Sequence, residues 1–119
     1  MGIKYIAIIF ILFFSSCSFN QEKYNKQKWN LKDDVGYYSY REPMLKDLLE
    51  NHKIKGLNIT ELEKLFGEIE IDSSNKKEVF FNVVVDFGWD IDPVYTKDLI
   101  IILDNNSIAK DYKIIEWNK

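Results

Sequence analysis

The chain of 119 residues holds one cysteine, Cys17, and one histidine, His52. Without a second thiol no intramolecular disulfide can form, even in an oxidising compartment, so stability has to come from packing. One cysteine and one histidine also fall short of a structural zinc set. Basic residues are outnumbered, 16 Lys and Arg against 19 Asp and Glu. A domain that neutralises phosphates shows a basic face, so this balance argues against a nucleic-acid partner and against electrostatic gripping of anionic headgroups. No glycine-rich phosphate loop and no nucleophile elbow occurs, and Asp86-Phe87-Gly88 is a kinase tripeptide by coincidence in so short a chain. His52, beside Lys53, has no marked nucleophile to serve and reads as a surface residue at a helix end. No constellation supports catalysis and none calls for a cofactor, so the expectation is a non-enzyme.

The longest apolar run is short as well. Lys4 precedes Tyr5 to Phe14, all apolar, and then come Ser15, Ser16 and Cys17. Ten helical residues span about 15 Å, half of the roughly 30 Å hydrocarbon core, so the run is no membrane anchor. A positive start, a short apolar stretch and a small-residue site make the layout of a secretory signal. Phe14-Ser15-Ser16-Cys17 resembles the lipobox of bacterial lipoproteins, which implies cleavage before Cys17 and a diacylglycerol on its thiol. The alternative is a secreted protein with a free Cys17. Each buried methylene of a lipid contributes about 0.8 kcal/mol, so several chains on one cysteine hold a protein at a membrane.

Removing residues 1–16 leaves about 100 residues, one small domain. Such a chain buries only about two thirds of its unfolded surface and needs large apolar side chains, which an aromatic content of 15% supplies. Residues 17–39 are polar and lysine-rich without a sustained period, and the expectation is a flexible tether with a reach of roughly 25 Å. Trp29, Tyr37, Tyr38 and Tyr40 are unusual in a tether. Either the part from about Val35 packs on the domain as an extended segment, or the aromatics dock a partner.

Residues 40–119 read as the folded unit. Met44, Leu45, Leu48 and Leu49 give one apolar stripe of a helix over residues 41–51, with Glu42 and Pro43 in its first turn. Asn58 with Glu61 makes a capping-box pattern, Ile59, Leu62, Leu65 and Phe66 form a second stripe, and Gly67 is the stop. From Glu78 the period becomes two: Val79, Phe81, Val83 and Val85 face one way, Phe80, Asn82, Val84 and Asp86 the other. Leu99 to Leu103 reads as a central strand or one covered on both sides, Asp104 to Ser107 as a turn, and Ile108 to Trp117 as a third strand. Helices first and strands afterwards predict an α+β fold, with two short helices on one face of a three-stranded antiparallel sheet.

The densest polar cluster is Asp86 to Pro93, with Tyr95 and Asp98 behind it. Its spacing is not that of an EF-hand, so it is read as a strand-end loop with an Asx turn and no metal site is assigned. Glu68, Glu70 and Asp72 alternate with Ile69 and Ile71, an extended edge with its charges in water. Trp89, Tyr95 and Trp117 are either lids over one end of the core or anchors for a partner, and with Asp90 and Asp92 they are the candidate partner-binding residues.

Met44 with Asp47-Leu48-Leu49, then Ile54-Lys55-Gly56-Leu57-Asn58 and Glu61-Leu62-Glu63-Lys64-Leu65-Phe66-Gly67-Glu68, are similar to the leucine-rich helix region of the BamE/SmpA type of small outer-membrane lipoprotein. Asp90 to Lys97 and Glu116-Trp117 resemble small bacterial lipoproteins more broadly. The resemblance implies a lipid-anchored, periplasm-facing accessory or scaffold of an outer-membrane complex such as barrel assembly. Ser18 after the cysteine, in place of a retention Asp, implies export to the outer membrane. The two-helix, three-strand unit also resembles the repeat of β-lactamase inhibitor proteins, which implies an inhibitory or immunity-type module gripping a partner through its sheet. An aromatic-rich open sheet face would favour the gripping module; a mostly polar face would favour the scaffold.

Overall fold

A computed structural model describes residues 21–72, 77–89 and 91–119. The signal layout, Cys17, Ser18 and Asp90 lie outside the described residues. Among those described the chain runs α1 (Lys26–Trp29), α2 (Glu42–Asn51), α3 (Ile59–Phe66), β1 (Ile71–Asp72), β2 (Glu78–Asp86), β3 (Tyr95–Leu103) and β4 (Ala109–Asn118). The strands form one antiparallel sheet in the order β1-β2-β3-β4. The α+β architecture is the expected one, with α1 and the two-residue β1 added.

Each helix begins where local chemistry dictates. Pro43 sits in the first turn of α2, where its missing N–H costs nothing, and Glu42 meets the positive end of the dipole. Asn58 caps α3 through a complete capping box: its side chain accepts from the Glu61 N–H while Glu61 accepts from the Asn58 N–H. Gly67 ends α3 at φ 93°, and a Cβ there would lie 2.7 Å from Asn30 Nδ2. That atom donates to the Phe66 carbonyl at 2.7 Å and closes the end of the helix. Glycine is therefore required twice over, by conformation and by space.

The core lies between the helices and one face of the sheet. Met44, Leu45 and Leu48 of α2, Leu62 and Phe66 of α3, and Val79, Phe81, Val83, Leu99, Ile101, Leu103 and Ala109 of the strands form one buried cluster. The strict alternation expected of β2 breaks at a bulge between Asn82 and Val84. Val83 and Val84 consequently both lean on the core, while Val85 pairs with Thr96 on the opposite face. The turn after β3 is held by Asp104, whose Oδ1 accepts from the N–H groups of Asn106 and Ile108 at 2.8 and 3.0 Å.

The segment expected to be a tether is part of the core from Tyr24 onward. Trp29 is wholly buried, with ring centroids 5.8 Å from Phe66 and 5.6 Å from Phe81. Tyr24 donates its hydroxyl to the Leu65 carbonyl and its N–H to Asp47 Oδ2, and the Glu22 N–H bonds the Pro43 carbonyl at 2.9 Å. Packing does not start at Val35, which is exposed on the tip of a turn held by Asp33. Short polar residues hid the segment in the sequence, because one Trp and one Tyr separated by charged residues show no period.

Arg41 locks this segment to the sheet. Its Nε donates to the Trp29 carbonyl at 2.7 Å and its Nη1 to the Asn82 carbonyl at 2.8 Å. The guanidinium lies 3.6 Å from the Tyr38 ring centroid and 4.8 Å from that of Trp29. Burial brings its pKa down to about 10, and it remains charged at neutral pH.

Trp29→Ala is expected to lower stability by about 3 to 5 kcal/mol, measured by urea denaturation; a loss near zero would restore the tether. Asp47 is held below the usual carboxylate range, first by the Tyr24 N–H and then by Asn51. Its contribution is therefore full above about pH 4 and is lost as pH falls through the depressed folded value. The gap in urea midpoint between wild type and Asp47→Asn should be open at pH 6 and narrow toward pH 2; a constant gap would contradict this.

Candidate functional site

The register places the side chains of the sheet on two faces. Opposite the helices, successive rows across β2, β3 and β4 are Glu78, Ile102 and Asp111; Phe80, Ile100 and Lys113; Asn82, Asp98 and Ile115; and Val85, Thr96 and Trp117. Half of these positions are apolar. No helix among the described residues covers this face, and Phe80, Ile115 and Trp117 are 51%, 41% and 49% exposed. Ile100 is nevertheless buried, because it is flanked in its row by Phe80 and Lys113 on the central strand. Polar neighbours frame the band, with Asn82 Nδ2 donating to Asp98 Oδ1 at 2.7 Å. An apolar strip with a polar rim is the composition of a protein-binding patch.

Of the residues singled out from sequence, Trp117 belongs to this face and Tyr95 does not. Tyr95 begins β3 beside Asn118 on the helix side, where burial and then Glu116 raise its pKa. Trp89 is fully exposed on the β2–β3 loop, as is Ile91 two residues on, so Trp89 does not close the core as a lid. The loop is fixed elsewhere: Asp86 Oδ1 accepts from the Gly88 N–H at 2.9 Å, and the Phe87 ring sits 5.7 Å from Tyr37. Asp92 is exposed at the same loop. The structure thus separates the proposed set into an outward loop carrying Trp89 and Asp92, a helix-side Tyr95 and a sheet-face Trp117.

Phe80, Ile100 and Ile115 were not singled out beforehand. The signal existed in the alternation of β2, where Phe80 stands on the face opposite Val79 and Phe81. A wholly apolar run in β3 concealed which of its isoleucines point outward.

Among the described residues no group of three His, Cys, Asp or Glu side chains comes together as a metal set. His52 Nε2 lies 3.6 Å from Asp47 Oδ2, at the end of α2. Asp47 also accepts from the Tyr24 N–H and from Asn51, at 2.7 Å each, and the Tyr24 ring lies 5.3 Å from the imidazole. No helix among the described residues is long and apolar enough to cross a membrane.

No protein-family model matches the chain, and neither the curated proteins nor the solved structures include a significant match to it.

Replacing Trp89 and Ile91 together by Ser is expected to change stability by less than about 0.5 kcal/mol. A loss above about 1 kcal/mol in urea denaturation would return the loop to the core as a lid.

Proposed function

We propose that the protein is a non-enzymatic, lipid-anchored envelope module that grips a partner protein through the open face of its sheet. The observation carrying this reading is the apolar strip of Phe80, Ile102, Ile115, Val85 and Trp117 about the buried Ile100, with no helix over it among the described residues. Two of its members are half-exposed aromatics, and aromatic side chains deliver large contact area at low conformational cost. A rigid sheet is also a good platform, since its backbone is fixed by ladders on both sides of β3 and little order is lost on docking. On this reading Cys17 carries the lipid and faces the module to the periplasm from the outer membrane.

The second reading, an accessory to an outer-membrane complex such as barrel assembly, draws on the loop. Trp89 and Ile91 project fully from it, and Asp92 beside them is exposed. A loop of this kind suits a scaffold contact, in which one projecting aromatic seats in a neighbour's pocket. It supplies less contiguous area than the sheet face, which therefore ranks first.

The test is a cross-linked capture from membranes with the lipidated protein, read by mass spectrometry. Phe80→Asp with Ile115→Asp should abolish capture of the main partner, while Trp89→Ser with Ile91→Ser should not. The reverse pattern would favour the scaffold reading, and Cys17→Ser should release the protein into the soluble fraction. Unchanged fractionation of Cys17→Ser would sink the lipid anchor.

A further inference from the structure

Arg41 is 96% removed from solvent, with 4% of its surface exposed, and has no carboxylate within ion-pair distance among the described residues. A buried guanidinium without a counter-charge is costly, and the aromatic rings around it offset that only in part. Two of its nitrogens are used, Nε by the Trp29 carbonyl and Nη1 by the Asn82 carbonyl. The third, Nη2, has no acceptor among the described residues and is not sealed from solvent. Arg41 lines a cleft of about 380 Å³ with Asn30, Tyr38 and Asn82. The indole Nε1 of Trp29, which lies under the same guanidinium, is a second donor left without an acceptor.

What the cleft can take follows from which donors remain. The Asn30 amide donates to the Lys26 and Phe66 carbonyls, and the Asn82 amide donates to Asp98. A phosphate or sulfate would find the guanidinium and the Tyr38 hydroxyl, with no second cation among the lining residues to match its charge. Glu68 and Glu70 also line the cleft, and both are exposed. Two carboxylates at the rim repel a doubly charged anion more than a singly charged one. A single carboxylate matches one free guanidinium nitrogen.

The cleft also adjoins the sheet face. Phe80, half-exposed on that face, forms part of its wall. We propose that the Arg41 cleft receives one aspartate or glutamate side chain of the partner protein as the partner docks over Phe80. This rests on the sheet-face reading of function. The pair would form in a largely desolvated setting, where a charge-assisted hydrogen bond is stronger than on the rim. An anchor of this kind beside an apolar strip supplies specificity, since a partner lacking the acid leaves the guanidinium uncompensated.

The test follows nitrogen-15 resonances of the lipidated chain in nanodiscs during titration with sodium acetate, with sodium chloride at matched ionic strength as control. Acetate should give saturable shifts of the Arg41 side chain and the Trp29 indole that chloride does not reproduce. A blocked peptide, acetyl-Leu-Glu-Leu-amide, should bind at least threefold more tightly than acetate, because its flanking side chains can reach Phe80. Arg41→Lys should lose the response, but that variant also breaks the clamp on Trp29. Glu68→Gln with Glu70→Gln therefore serves as the second variant, since both positions are exposed, and should tighten acetate about threefold at low salt. Linear shifts equal in the two salts, or no tightening in the glutamine variant, would overturn the carboxylate site. Saturation by acetate with no gain for the peptide would overturn a protein-borne acid in favour of a small free carboxylate. Neither outcome depends on partner capture, so failure of the sheet-face reading is seen separately in the Phe80 and Ile115 variant.

Discussion

The domain depends on one buried contact, the guanidinium of Arg41 set between the Tyr38 and Trp29 rings and bonded to two backbone carbonyls. Those carbonyls belong to Trp29, at the end of α1, and Asn82, in the middle of β2, the second of them 41 positions from Arg41. A small domain buries too little surface to stand on two helices and a sheet alone. Trp29 supplies the missing volume, and Arg41 is the reason that the polar stretch carrying it stays in place. Tyr24, Trp29, Phe66 and Phe81 then form a continuous aromatic stack, with Phe66 and Phe81 at 4.5 Å. Helix, sheet and N-terminal segment meet there.

That contact also shapes the surface. Beyond its two-residue pairing with β1, the edge of β2 would present unpaired carbonyls, and Arg41 occupies the one at Asn82. The bulge that follows at Val83 and Val84 turns Val85 to the outer face in place of Val84, in one row with Thr96 and Trp117. A strictly alternating β2 would instead put Val84 and Asp86 on that face.

How much of this could be read from sequence differs by element. Asn58 with Glu61 and Gly67, and Glu42 with Pro43, announced their helices because caps and dipole effects act within one turn. The antiparallel meander was legible from period two and from the Asp104 turn. Trp29 was not, because its partners lie 37 and 52 positions away, in Phe66 and Phe81, and no local pattern encodes such contacts. Trp89 misled for the same reason: a large aromatic on a loop looks alike from sequence whether it covers a core or stands in water. The outer strip was half legible, with Phe80 readable from alternation and the phase of β3 hidden by its run of isoleucines.

Moving the start of the fold from about Val35 to Glu22 changes what a lipid on Cys17 would do. Five peptide links separate Cys17 from Glu22, and fully extended they reach at most about 18 Å. The 25 Å excursion of a long tether is thereby removed, and the domain would ride close to the bilayer. Glu22 is bonded to the Pro43 carbonyl at the start of α2, on the helix side of the sheet. Any anchor on Cys17 would therefore join the domain on the layer opposite Phe80, Ile115 and Trp117. Under a lipid at Cys17 that attachment would favour the helices toward the bilayer and leave the apolar face open to a protein partner.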